Sequence, residues 1–355
     1  MGRFFVFWIY VSLPIIMPLV LGWRMDRILG DPPSMPHLIV GYGKLIARYE
    51  KQLNKPDLSP ATLRRRGRLM GLGLTLGSFL VAFVLLGFLY FLFPLLPVLL
   101  SVPLIFYCLA GTTLAEEVKQ VFAAVEVSLD AGRVQVSRIV GRDTSKLSAQ
   151  EIRIAALETQ AENLNDGVIA PIFYYFVGSV FGIFLGCFLD LSPLVAVVPA
   201  TALMLCYKMV NTLDSMVGYR SERYLHFGRF SAIQDDVWGW IPARLTAFLL
   251  LLVDGKLSLL PFVRRYGSAH LSPNSGYPEA AMAALLNCRF GGPHDYFGKE
   301  VYKPYIGETE RRVRMADARR AIRLSFRAES LLIILLSLVE LLIGLYCVFC
   351  YSSFL

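Results

Sequence analysis

Apolar runs of about 20 residues constrain this chain more than anything else in it, because a hydrocarbon layer roughly 30 Å thick demands that length of a helix. Leu69 to Ala115 is almost wholly apolar and is broken near its middle by Phe93-Pro94-Leu95-Leu96-Pro97, which suits two helices joined by a tight turn. Residues 167 to 210 repeat the arrangement, with Asp190, Ser192 and Pro193 at the bend. Phe4 to Trp23 and Ser330 to Tyr351 are single runs. The first is too long for a signal-peptide core and ends without a small-residue cleavage pattern, so it reads as an uncleaved span. Composition agrees: 55% of the 355 residues are hydrophobic and 17% are charged, where a soluble domain carries roughly 25% charged residues. The expected fold is an all-α polytopic integral membrane protein with about six transmembrane helices, at 4–23, 69–92, 95–115, 167–189, 191–210 and 330–351, in a single membrane-embedded domain over 1–355.

Basic residues near span ends are retained on the cytoplasmic side. All but Arg3, Lys208 and Arg244 of the 35 Lys and Arg residues lie in four polar stretches, 24–68, 116–166, 211–237 and 255–329, and both hairpin bends contain none. Six spans with both termini outside place all four stretches in the cytoplasm. Residues 238–254 resist this scheme: the unbroken apolar part is only about a dozen residues, short of a span, and a full crossing would turn the basic stretch after it outward. They read as a buried or re-entrant helix, with Arg244 facing a polar cavity because an Arg in lipid costs roughly 2.5 to 3.5 kcal/mol. Gly178, Gly182 and Gly186, like Gly73 and Gly77, recur every fourth residue, the spacing that lets helices pack closely.

Three polar clusters could carry chemistry. A helix over 151–166 puts Glu158, Glu162 and Asp166 on one face. Like charges at that spacing repel by roughly 0.2 to 0.5 kcal/mol per pair, so something cationic should face them, although a solvated acidic face explains the same row. Asn163 and Asn165 add carbonyl oxygens, and hard oxygen ligands suit Mg²⁺. The second cluster interleaves Asn211, Asp214, Arg220 and Arg223 with Asp235 and Asp236, where arginine forks suit phosphate or carboxylate and Asp-Arg pairs at a span end are the structural alternative. The third, His270 to Glu279, is a turn-rich loop with Ser272 and Asn274 that enters a helix at Pro278, the kind of helix start that binds anions. Gly291-Gly292-Pro293 and Lys303-Pro304-Tyr305-Ile306-Gly307 follow as turn-forming elements.

Several chemistries are set aside. There is no G-x-x-x-x-G-K-[ST] phosphate loop, and His37, His226, His270 and His294 are scattered, against a zinc hydrolase. Cys347 and Cys350 sit in the last apolar run, where buried thiols are the expectation rather than a redox pair. The net charge of +8 lies beside the spans and reads as topology and lipid contact, not nucleic-acid binding.

The residues themselves resemble a family. Leu29-Gly-Asp31-Pro with Pro36-His37, Ile139-Val-Gly-Arg142-Asp143-Thr144, Glu158-Thr-Gln-Ala-Glu162-Asn163-Leu-Asn-Asp166-Gly-Val-Ile-Ala-Pro171 and Asn211-Thr-Leu-Asp214-Ser-Met-Val-Gly-Tyr-Arg220 match it. So do Glu222-Arg223-Tyr224, Asp235-Asp236, Pro242-Ala-Arg244-Leu-Thr246, Ser272-Pro-Asn274, Pro278-Glu279-Ala-Ala, Gly291-Gly-Pro293 and Lys303-Pro. Over residues 23 to 325 the chain resembles the CbiB/CobD family of cobalamin biosynthesis, the adenosylcobinamide-phosphate synthases.

The resemblance implies a ligase that joins a carboxylate of adenosylcobyric acid, a corrinoid, to the amine of (R)-1-aminopropan-2-ol O-phosphate, with ATP as co-substrate and Mg²⁺. It also implies a multi-pass protein of the bacterial inner membrane with a cytoplasmic active site, in contact with membrane lipid and associated with other late cobalamin-pathway enzymes. On this reading Glu158, Glu162, Asp166 and Asp214 hold Mg²⁺. Asp235, Asp236 and Arg244 are catalytic, with the aspartates completing the metal site or serving as base. Arg142, Arg220, Arg223, His270, Ser272, Asn274 and Lys303 bind phosphate groups or substrate. A regulatory or sensory relative without catalysis, and a corrinoid transporter, are the competing readings.

Overall fold

A computed structural model describes residues 2–31, 37–296 and 299–352, with side chains described for 12–31, 37–292 and 302–346. The side chains of His294, Cys347 and Cys350, and residue Pro36, lie outside the described residues. The helices are α1 (Gly2–Leu29), α2 (Leu38–Leu53), α3 (Pro60–Leu92), α4 (Leu96–Cys108), α5 (Gly111–Val127), α6 (Leu129–Val136) and α7 (Ala149–Leu164). They continue as α8 (Ala170–Leu189), α9 (Val197–Val217), α10 (Arg229–Val253), α11 (Leu260–Gly267), α12 (Gly276–Leu286) and α13 (Met315–Ser352). Strands β1 (Phe290–Tyr296) and β2 (Lys299–Ile306) form an antiparallel pair. Six helical segments among the described residues are long and apolar enough to cross a membrane, as a multi-pass all-α protein requires. One of them is α10, which runs unbroken through Pro242 over the residues read from the sequence as a buried or re-entrant helix.

The chain, read from its sequence as one domain, contains two compact units. The first comprises Met1–Leu109, Ala170–Trp238 and Ile333–Leu355. Its centre is α9: the segment Pro193–Val217 is 89% buried over its apolar window, against 17% for α3. The outward side of α3 carries Leu76, Leu80, Val84, Phe88 and Phe91, all exposed. An apolar surface of that extent is unfavourable in water and suits lipid. Gly178 and Gly182 let α8 lie against Pro199, Ala200 and Ala196, where a Cβ would collide with backbone. The same expectation fails for Gly73 and Gly77, which face open space. On α3 the glycines that pack are Gly67 and Gly71, against Phe227 and Phe230. Spacing marks a stripe of small residues, but only the neighbours decide whether a helix covers it.

The second unit comprises Ala110–Ile169 and Gly239–Leu332. The run expected as a span at 95–115 is broken at Leu109 and Ala110, between α4 and α5, where Ala110 donates its N–H to Gly167 O at 3.1 Å. That carbonyl belongs to a π-helical turn, Asn165–Ile169, following α7. Such turns recur at functional sites. The segments expected as turns at 291–293 and 303–307 pair instead as the hairpin, with Gly292 opposite Lys303 and Pro293 opposite Tyr302. Proline survives here because both strands of a two-stranded sheet are edges.

Candidate active site

Helix α7 opens on a capping box: Ser148 Oγ accepts the Glu151 N–H at 3.3 Å, and Glu151 Oε2 accepts the Ser148 N–H at 2.7 Å. Buried residues then follow on every side of the helix, from Ile152 and Arg153 to Leu164. The acidic row is therefore not a solvated face. Glu158 is 3% exposed, and the cation that faces it is Arg142, whose Nη2 donates to Glu158 Oε2 at 2.8 Å. The other oxygen, Oε1, accepts the Gly291 N–H at 2.7 Å. Gly291 reaches this position with φ +78, a left-handed conformation in which a side chain would strike the Pro304 carbonyl.

Glu162, one turn further along α7, accepts a hydrogen bond from Ser275 Oγ at 2.8 Å. Ser275 belongs to the loop before α12, which Ser272 organises by accepting the Asn274 and Ser275 N–H groups on its Oγ, both at 3.2 Å. The Ser272 N–H in turn donates to His270 Nδ1 at 3.0 Å. The neutral imidazole thus carries its proton on Nε2, which lies 3.7 Å from Glu279 Oε2. Pro278, expected to open α12, is its third residue, because Gly276 and Tyr277 precede it. Proline fits there because N–H groups of a first turn have no partner within the helix. Gly276 is required as well, since a Cβ would collide with His270.

Burial dominates the electrostatics. It pushes the Glu279 carboxyl well above the usual carboxylate range, opposed by the Lys303 charge and reinforced by Glu158 and Glu162. Burial also lowers His270, and the nearby Lys303 adds to this. His270 Nε2 and both Glu279 oxygens are buried without a hydrogen-bond partner, a costly state unless a ligand or a shared proton completes it. Arg142, Glu158, Glu162, His270, Ser272, Asn274 and Lys303, chosen on sequence, thus belong to one neighbourhood of the second unit.

Asp166 lies in the π turn, where its Oδ1 accepts from Asn165 Nδ2 at 2.7 Å. Asn165 Oδ1 accepts from Thr246 Oγ1 at 3.0 Å. The Arg244 guanidinium stands over Trp240 at 4.2 Å and Tyr277 at 4.0 Å, and donates to Trp240 O. In the first unit Arg223 forks onto Glu50, with Nε at 3.0 Å and Nη2 at 2.9 Å from Oε1. Asp214 packs so closely on Gly218 that a Cβ there would overlap its carboxylate. Arg220 is exposed, and its charge reaches Asp236 on α10, which also carries Asp235. The four carboxylates have the right donor chemistry for Mg²⁺. Among the described residues, however, no three His, Cys, Asp or Glu side chains are grouped to hold an ion, and Arg142 and Gly291 already occupy both Glu158 oxygens.

A family model described as CobD/Cbib protein matches residues 19–325. The chain belongs to the CobD/Cbib family. It is 40% identical over 322 residues to a Klebsiella pneumoniae protein named cobalamin biosynthesis protein CobD, covering 88% of this chain and 93% of that one. A Geobacter metallireducens protein of the same name is 40% identical, with 88% and 92% covered. The Salmonella typhimurium cobalamin biosynthesis protein CbiB is 35% identical, with 90% and 96% covered. No solved structure matches the chain.

Every residue of the clusters above lies inside the stretch matched by the CobD/Cbib model. In this CobD/Cbib family member, the sequence places Ser275 and Glu279 in the third cluster without a role, and it does not mark Glu50 or the ring pair around Arg244. A role for Glu279 could have been found: it is the only charge in the helix sequence Gly-Tyr-Pro-Glu-Ala-Ala-Met-Ala-Ala-Leu-Leu, and a lone acid on a buried helix needs a reason. His37, part of the motif set, caps α2 by accepting the Ile39 N–H on Nδ1.

Proposed function

We propose that this protein works in cobalamin biosynthesis as an adenosylcobinamide-phosphate synthase, an ATP-dependent ligase of the inner membrane acting from the cytoplasmic side. The reading is carried by the 35–40% identity to proteins named for cobalamin biosynthesis, together with the buried charged neighbourhood around Glu158. A carboxylate does not condense with a protonated amine unaided, because hydroxide is a poor leaving group. In the proposed route a carboxylate of adenosylcobyric acid attacks the γ-phosphorus of ATP, giving an acyl phosphate and ADP. The amine of aminopropanol phosphate then attacks the acyl carbon: a C–N bond forms, the C–O bond to phosphate breaks, and inorganic phosphate leaves.

Arg142 and Lys303 supply positive charge for the phosphoryl oxygens. The His270 and Glu279 pair is proposed to receive the ammonium proton; Asp235 and Asp236 remain a separate proposal as catalytic groups. A Glu279 carboxylate formed in a buried setting is a stronger proton acceptor than one in water. Mg²⁺ is proposed only as the counter-ion of the ATP phosphates. Arg220, Arg223 and Arg244 remain proposed phosphate contacts, and membrane lipid and other late-pathway enzymes remain proposed partners.

Purified protein in nanodiscs is incubated with adenosylcobyric acid, ATP, Mg²⁺ and aminopropanol phosphate, free aminopropanol or ethanolamine phosphate. Mass spectrometry should find the amide adduct with one ADP released per amide formed. Corrinoid recovered unchanged with every amine would overturn the reading.

A further inference from the structure

Beside the head of α7 the second unit holds an open cleft of about 730 Å³, within the size range of small-molecule sites. Five arginines line it, Arg142, Arg153, Arg289, Arg311 and Arg312; among the described residues the acids of the lining are Glu151 and Glu310, while Glu158, Glu126 and Asp317 pair with Arg142, Arg153 and Arg311 from behind it. Glu151 is engaged with the helix start through the capping box. Glu310, 78% exposed, meets Arg289 at 2.9 Å and can swing away from it. Arg311 and Arg312 are carried by a segment that Gln150 clamps to α7, through bonds of 3.0 Å to Arg311 O and from the Val313 N–H. Arg311 is itself locked by Asp317 and by the Leu286 carbonyl. Arg289 lies over the Tyr305 ring at 4.2 Å.

Two of these arginines, Arg142 on Glu158 and Arg153 on Glu126, are each paired with one glutamate and still have donor capacity for an anion. The side chains of Arg142 and Arg153 are 7% and 6% exposed, and each keeps a buried nitrogen without a hydrogen-bond partner, Nη1 of Arg142 and Nε of Arg153. Burying such donors unpaired is unfavourable. The positive end of the 16-residue helix α7 opens into the same cleft.

We propose that this cleft binds the polyphosphate of a nucleoside triphosphate, an assignment that rests on the ATP dependence proposed above. Forked guanidinium donors match phosphate oxygens, and the volume exceeds what a phosphate monoester fills. Arg142 and Gly291 line the cleft and also hold Glu158. The terminal phosphate therefore arrives next to the buried cluster, which leaves the His270 side for the other reactants.

The test is equilibrium dialysis of radiolabelled ATP against the full-length protein in nanodiscs of zwitterionic lipid at fixed salt. Tripolyphosphate should displace ATP and adenosine should not. The double variant Arg289→Glu/Arg312→Glu should bind ATP about tenfold more weakly or worse. Arg264→Glu on α11, outside the cleft, should bind as the wild type does. Should the double variant lose its cooperative unfolding, Arg312→Glu alone, an exposed position, reads the same effect. ATP binding unchanged in the variants overturns the cleft assignment, and so does displacement of ATP by adenosine alone. If ADP is still released with the amide while the variants bind ATP normally, only the cleft assignment falls. If the wild type neither binds ATP nor releases ADP, the ATP reading falls with it.

Discussion

Each unit contains an arginine-glutamate pair, and the two differ in enclosure rather than in chemistry. Arg142 and Glu158 are 7% and 4% exposed at their side chains, and a backbone N–H completes the carboxylate. Arg223 and Glu50 make more hydrogen bonds, but the arginine is 63% exposed. Water reaches the arginine of the second pair but not Glu50, which is 9% exposed and keeps a bond from Asn54, whereas the first pair holds both charges in a low-dielectric interior. The first unit turns its apolar side chains outward and packs through glycine and alanine. The second encloses both partners of its pair, whereas the described charges buried in the first, among them Asp26, Glu50, Lys208 and Glu340, include no arginine buried together with its glutamate. Bond counts alone would rank these pairs in the wrong order, because burial sets what each bond is worth.

The largest effect should follow Arg142→Ala, which leaves Glu158 buried and unpaired. Stability should fall by about 3–5 kcal/mol, read as a lower unfolding midpoint in detergent, with product formation lost. A drop no larger than that of Arg223→Ala would break the contrast between the units. Glu279→Gln should come next and show in the pH dependence. Because Glu279 is raised in the folded state, its contribution is complete below the ordinary carboxylate value and is lost as pH rises through the raised one. The Gln variant should therefore gain on the wild type toward neutral and alkaline pH. The lowered His270 acts oppositely: its contribution is complete above about pH 6.5 and is lost as pH falls below that. Both variants should keep that acid-side loss, and melting curves across pH read the two limbs separately.

Within the first unit, Gly178→Val should cost about 1–3 kcal/mol by overpacking against α9. Arg223→Ala should lower the unfolding midpoint by less than Arg142→Ala does, because Asn54 Nδ2 still donates to Glu50 once the guanidinium is gone. Gly73→Ala, facing open space, should be neutral or stabilising by up to about 1 kcal/mol. A large loss at Gly73 would mean that a partner covers that face of α3.

Much of the architecture was legible beforehand. The apolar runs marked the long helices, and the spacing of Glu158 and Glu162 marked one face of α7. The hairpin was not legible, because Gly291-Gly292-Pro293 looks like a turn until Gly292 is seen opposite Lys303. The packing glycines of α3 were misplaced by six residues, nearly two turns, since periodicity shows a stripe without its partner. Glu279 stood in a matched motif, but its sequence neighbours carry no sign of which charges surround it in the fold.

The amino-acid order by itself determined a helical membrane protein of the CobD/Cbib family, because span length and motif composition are local properties of the chain. Which charges are enclosed was decided only by the fold. Desolvation depends on every neighbour at once, and Arg142, Glu158, Glu279, His270 and Lys303 become neighbours only when α7, α12 and the hairpin have packed.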